Sequence, residues 1–84
     1  MSIKLFVGGY PLEMEEMELA QLIAPHGDIV VMKIVRDKKT RKAKGYAFVE
    51  MATRADAIAV IAALGGVSMG RRRLTVRLAP ESGK

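Results

Sequence analysis

The sequence predicts an α+β sandwich in which two helices cover one face of a four-stranded antiparallel sheet, in the order βαββαβ. Three observations carry that prediction. Residues 3–8, 29–36, 44–51 and 73–78 are rich in β-branched or aromatic side chains and read as strands. Residues 15–24 and 54–64 repeat apolar side chains at helical spacing. Glycine, proline or a charged run punctuates each junction.

Taken in order, the first strand ends in Gly8-Gly9, and Pro11 punctuates the loop behind it. In the first helix Leu19, Leu22 and Ile23 form an apolar face that Met14, Met17 and Ala20 fill out. Glu13, Glu15, Glu16 and Glu18 cluster at its N-terminus, where the helix dipole favours negative charge. Pro25 and Gly27 stop it. In the second strand Val30, Met32 and Ile34 form the inward set, and a bulge near its start lets Ile29 turn inward too. Residues 37–43 are a polar, basic loop.

Thr53 is placed to cap the second helix. Its expected buried stripe is Ala57, Ile58, Ile61 and Leu64, with Ala55, Ala59, Ala62 and Ala63 allowing close approach to the sheet. Gly65-Gly66 ends it, and residues 67–72 make a turn or short hairpin. In the last strand Leu74, Val76 and Leu78 point inward, and Arg73, Thr75 and Arg77 outward. This is the ferredoxin-like split βαβ arrangement, with one sheet face left open.

Composition narrows the functional classes. A chain of 84 residues makes one small domain. With no cysteine there are no disulfides, thiolate zinc sites or cysteine nucleophiles, and the lone His26 reads as a helix-end residue, unable to build a histidine metal cluster. No Gly-Lys-Ser/Thr phosphate loop is present. These absences point away from an enzyme and from any metal or cofactor. No segment reaches the roughly 18 apolar residues of a membrane span, nor does the N-terminus resemble a signal peptide. The expectation is a monomer in the cytoplasm or another intracellular compartment, organelle and nucleus included.

The formal charge of +5 is segregated. Lys33, Arg36, Lys38, Lys39, Arg41, Lys42 and Lys44 face a single acid, Asp37, in that stretch, and Arg71-Arg72-Arg73 with Arg77 makes a second basic group. Such clusters suit a polyanion, and they equally suit a solvated loop. The aromatic residues decide further. Alternate side chains of a strand face opposite sides. Leu5 and Val7 therefore oppose Phe6, and Ala47, Val49 and Met51 oppose Tyr46, Phe48 and Glu50. With the aliphatic sets buried, three of the four aromatic residues lie on the wet face, where flat rings stack nucleic-acid bases. Tyr10, the fourth, begins a loop and reads as packing.

Lys44-Gly45-Tyr46-Ala47-Phe48-Val49-Glu50-Met51 resembles the ribonucleoprotein octamer of the RNA recognition motif, and residues 5–10 resemble the partner hexamer. The resemblance spans nearly the whole chain, making residues 1–80 the expected domain and 81–84 a short polar tail, and it is strongest to stand-alone bacterial and organellar members. Five positions depart from the pattern: Met51 for an aromatic, Gly9-Tyr10 for Asn-Leu, Arg41 for a loop glycine, and Glu15 for Ser or Thr.

The resemblance implies a single-stranded RNA-binding protein, with single-stranded DNA an open alternative ligand. Phe6 and Tyr46 would each stack one base, while Phe48 packs against sugars or between the two nucleotides. Lys44 would pair with a phosphate. Lys38, Lys39, Arg41 and Lys42 would close over the strand as a basic finger. By parity Lys4, Lys33, Arg73, Thr75 and Arg77 edge the same face, and Glu50 accepts from a base amine or pairs with Lys4 or Arg77. The competing reading is a protein–protein interaction module on the same fold.

Overall fold

The computed structural model describes residues 2–79; Pro80 and the tail expected at residues 81–84 lie outside the described residues. The chain runs β1 (Ile3–Gly8), α1 (Glu16–Ile23) with a 3₁₀ turn (Ala24–His26), β2 (Ile29–Arg36), β3 (Ala43–Met51), α2 (Arg54–Leu64), β4 (Ser68–Met69), β5 (Arg72–Arg73) and β6 (Thr75–Leu78). Strands β2-β3-β1-β6 form one antiparallel sheet, and β4 and β5 form a separate two-stranded hairpin. The sheet order is that of the ferredoxin-like arrangement expected from the sequence.

Register builds the core. Leu5 lies opposite Val49 and Leu78, and Val7 opposite Ala47 and Val76. Facing residues of neighbouring strands share a side of the sheet. Leu5, Val7, Ala47, Val49, Met51 and Val76 are all buried there, against Leu19 and Ile23 of α1 and Ala57, Val60 and Leu64 of α2. Met51 thus fills the core, so its departure from the octamer alters packing and leaves the open face unchanged. Thr53 caps α2 by accepting from the Asp56 N–H at 3.1 Å. At the start of α1 the Glu15 N–H donates to Glu18 Oε1 at 3.0 Å, so the Glu18 side chain satisfies the N-cap backbone.

Several expected core positions lie elsewhere. Ile58 is 52% exposed, and Ala55, Ala59, Ala62 and Ala63 also face outward. The buried stripe is Ala57, Val60, Ile61 and Leu64, spaced three and four apart; Ile58 sits about 100° around the helix. Met17 is 73% exposed, on the far side of α1 from Leu19 and Ile23. The expected bulge exists: Ile29 pairs with Met51 and Val31 with Glu50. Its extra residue is Val30, which is therefore exposed and not part of the inward set. Leu78 follows Leu5 to the core side but stays exposed at the end of its strand. The last strand begins at Thr75, and Arg73 belongs instead to the hairpin, opposite Ser68.

Tyr10 is the largest fully buried side chain, as its packing role required. Its hydroxyl is buried without a hydrogen-bond partner among the described residues. Burial pushes the phenol above its ordinary value; nearby Arg36 acts against that shift and Glu16 with it. An unpaired buried hydroxyl costs about 1–3 kcal/mol of desolvation. Tyr10→Phe keeps the ring and removes that cost, so thermal or urea unfolding is expected to show a gain of about 1 kcal/mol. A clear loss of stability would mean the hydroxyl has a stabilising partner.

Candidate nucleic-acid interface

On the open face Phe6 and Phe48 stand directly opposite each other, and Tyr46 faces Gly8 one ladder step away on the same side. The three half-buried rings form a near-equilateral triangle. Centroids are 5.6 Å apart for Phe6 and Tyr46, 6.0 Å for Phe6 and Phe48, and 6.1 Å for Tyr46 and Phe48. Phe6 and Tyr46 are inclined by only 28°, while Phe48 stands at 68° and 82° to them. Phe6 and Tyr46 are thus inclined only slightly to each other, and Phe48 stands edge-on to both at the third corner.

Cations flank the triangle. The Arg77 guanidinium lies 4.9 Å from the Phe6 centroid, and Lys4 Nζ 5.8 Å from that of Phe48. Both lie within the roughly 6 Å reach of a cation–π contact. Register puts Lys33 opposite Phe48 and Thr75 opposite Gly8, on the same face and exposed. Val31, opposite Glu50, adds an exposed apolar side chain there, a position whose parity was readable although its bulk was not counted toward the site. Glu50 faces Lys4 across the ladder but accepts instead from the Ser2 hydroxyl at 2.6 Å. Arg73, held in the hairpin, does not extend the row begun by Thr75 and Arg77.

The basic loop is a hydrogen-bonded turn. Asp37 Oδ1 accepts from the N–H groups of Lys39 at 2.8 Å and Thr40 at 3.0 Å, and the backbone closes between Asp37 and Lys42. Bonds from Thr40 and Lys39 hold the Asp37 carboxyl below its ordinary range, with the charge of Lys44 adding to them. Lys38, Lys39, Arg41 and Lys42 project exposed from this turn. Arg41 has φ +65°, in the left-handed region that favours glycine, so the turn keeps the glycine conformation although the residue is an arginine. Gly45 has φ +92°, where β3 carries extra residues against β2: Ile34 pairs with Ala47, but Arg36 with Ala43.

Arg36, one of the bases in the charged run, is occupied. Its guanidinium donates to both carboxylate oxygens of Glu16, at 2.6 and 2.8 Å. Those bonds hold the Glu16 carboxyl down at about 2 against an ordinary 4.5. A depressed acid stabilises the fold fully above its unfolded value and loses that contribution as pH falls toward its folded value. Stability is therefore expected to drop from about pH 4.5 to about pH 2. Glu16→Gln should flatten that limb in pH-dependent unfolding; an unchanged slope would show the pair contributes nothing there.

An open sheet with a ring triangle and a margin of cations defines a ligand-binding module built on a two-layer α+β fold. Among the described residues no three His, Cys, Asp or Glu groups are placed to hold a metal ion, and no helix is long and apolar enough to cross a membrane. The sequence matches the RNA recognition motif over residues 5–75, and the chain belongs to that family. It is 32% identical over 80 residues to the chloroplastic 28 kDa ribonucleoprotein of Spinacia oleracea, covering 95% of this chain and 34% of that protein. Identity to the protein elav of Drosophila melanogaster is 42% over 76 residues, covering 82% of this chain and 16% of that one. The chain thus spans about a third or less of the curated relatives it matches. Among solved structures, RNA-binding protein PG1 matches with a TM-score of 0.89 at 28% identity, covering 99% of this chain and all of that one. The Sxl-lethal protein in complex with RNA matches with a TM-score of 0.86 at 35% identity, covering 92% and 47%.

Proposed function

We propose that this domain binds single-stranded RNA across its open sheet face, as a binding module that performs no reaction. The observation that carries the proposal is the triangle of Phe6, Tyr46 and Phe48, with two rings inclined by only 28° and the third edge-on to both. Phe6 and Tyr46 each take one base, a contact worth about 1–3 kcal/mol that tolerates any base. Phe48 stands between the two nucleotides against their sugars. Lys4 and Arg77, already over the rings, and Lys33 on the neighbouring strand meet phosphates or base edges. Thr75 supplies a neutral donor at the opposite margin, and Glu50 accepts from a base amine once Ser2 yields. Lys44 and the turn bearing Lys38, Lys39, Arg41 and Lys42 draw the strand in by charge. The ribonucleoprotein and RNA-complex relatives support the same ligand class.

Titration of the labelled domain with pooled short RNAs, followed by NMR, tests this. Shifts are expected to concentrate at Phe6, Lys44, Tyr46 and Phe48. The logarithm of affinity should fall with the logarithm of salt concentration by about 0.7 per phosphate neutralised. Binding that ignores salt would sink the mechanism, and equal affinity for DNA of the same sequence would assign recognition to stacking without the 2′-hydroxyl. A second reading, protein binding through the helices, is favoured by the exposed apolar face of α2 around Ile58. Shifts confined to α1 and α2 would select it.

A further inference from the structure

A groove of about 400 Å³ lies between the loop behind β1 and the β4–β5 hairpin, walled by Pro11, Leu12 and Glu13 from the loop and by Met69, Arg71 and Arg72 from the hairpin. None of the three open-face rings lines it. Two glycines show that the groove and the rings are separate surfaces. A Cβ on Gly8, which pairs with Tyr46, would lie 3.2 Å from Phe6 Cε2, among the rings. A Cβ on Gly45 would instead meet Leu12 Cδ2 at 3.3 Å and Arg72 Nη1 at 4.0 Å, with neither Phe6 nor Phe48 within 4 Å. Met69 packs against the hydrophobic core, not against the open face.

The walls combine an apolar surface with uncompensated charge. Leu12 is 48% exposed, a leucine left half in water. Arg71 and Arg72 are exposed and, among the described residues, have no carboxylate within 4 Å; the ion pair found there joins Arg36 and Glu16. Glu13 lines the same groove without pairing with them. The complement of an exposed leucine beside two free guanidinium groups is an apolar side chain beside a carboxylate. The volume lies in the range of about 300–1,000 Å³ in which bulky organic groups are held.

We propose that this groove docks an acidic peptide segment of a partner protein, with one bulky apolar side chain against Leu12 and Met69 and a neighbouring carboxylate on Arg71 and Arg72. Glu13 favours a peptide over a nucleic-acid strand. A strand carries a phosphate at every nucleotide, which the Glu13 carboxylate repels. A peptide places its carboxylate on the arginine side alone and donates backbone N–H groups to Glu13. The site does not depend on the RNA reading of the sheet face. Because the two surfaces are separate, one domain holds a strand on its rings and a protein segment in its groove together.

NMR titration of the labelled domain with a pool of hexapeptides, each carrying Leu, Met or Phe beside a pair of Asp or Glu residues, tests this. Shifts are expected at Leu12, Met69, Arg71 and Arg72. They should vanish with a matched pool in which Lys replaces the acids, and with one in which Ser replaces the apolar residue. Arg71→Gln/Arg72→Gln is expected to weaken binding of the acidic pool about fivefold, in line with the loss of exposed ion pairs. Leu12→Ser should weaken it as well. All three changes fall on exposed side chains, and circular dichroism checks the fold. Short RNA added to the peptide-bound domain should leave the peptide shifts in place. No shift from the acidic pool at millimolar concentration, or equal shifts from the Ser pool, overturns the proposal. Displacement of the peptides by RNA assigns the groove to nucleic acid and overturns it too.

Discussion

The double substitution Phe6→Ala/Tyr46→Ala is expected to weaken RNA binding by about 2 kcal/mol, roughly thirtyfold, since each base–ring contact is worth about 1–3 kcal/mol. Each single substitution should cost about 5- to 150-fold within that range. The rings touch at a centroid separation of 5.6 Å, so the single costs are not expected to add. Their half-exposed position on the wet face means the fold survives their loss, and this separates a binding defect from unfolding. Isothermal titration with one short RNA, beside circular dichroism of the same samples, makes the measurement. Affinity within twofold of native would remove the ring platforms from the mechanism.

Gly9→Ala is expected to produce the largest loss of stability, at least about 2 kcal/mol. Gly9 has φ +85°, and a dihedral forced into that region costs about 1–3 kcal/mol in a side-chain-bearing residue. Space is the larger obstacle: a Cβ there would lie 2.1 Å from the Arg73 carbonyl oxygen, and backbone cannot step aside as a side chain would. For a domain of this size, 2 kcal/mol corresponds to a fall of about 8–16 °C in Tm. Calorimetry reads it directly. A shift below about 3 °C would show that the loop relaxes at little cost.

The same position shows how a departure in sequence follows from local conformation. Gly9 stands where the motif commonly has Asn, and its φ of +85° together with the Arg73 carbonyl against it leaves room here for glycine alone. Tyr10 then fills, with a larger ring, a buried site where leucine is common. Arg41 is the reverse case, a residue that accepts a glycine conformation while adding a cation to the loop. At Gly45, the motif glycine accommodates a bulge between β2 and β3 and the close approach of Leu12.

Strand parity, which depends only on backbone pleat, sufficed to place Phe6, Tyr46, Phe48, Lys4, Lys33, Thr75 and Arg77 on one face, because no bulge interrupts those runs between partners. It failed at Arg73, where the chain leaves the main sheet for a hairpin, a choice made by pairing with Ser68. Caps were also local: Thr53 bonds an N–H three residues away. The buried face of α2 was not local, since that helix is apolar nearly all round and several stripes were open to it. Docking against Val76 and the β-strands selected Ala57, Val60, Ile61 and Leu64 and left Ile58 in water.

The site divides along the same line. That three rings would share an open face was written in the alternation of residues 44–51 and 5–10, a period of two along each strand. The geometry of that face was decided by the fold. Ring angles depend on the antiparallel register of β1 with β3. Arg36 leaves the basic run because α1 brings Glu16, twenty residues distant, within 2.6 Å. Alternation and capping are properties of neighbouring residues and survive in the string of letters. Distances between remote side chains are set only when hydrophobic burial closes the chain on itself, and no local pattern encodes them.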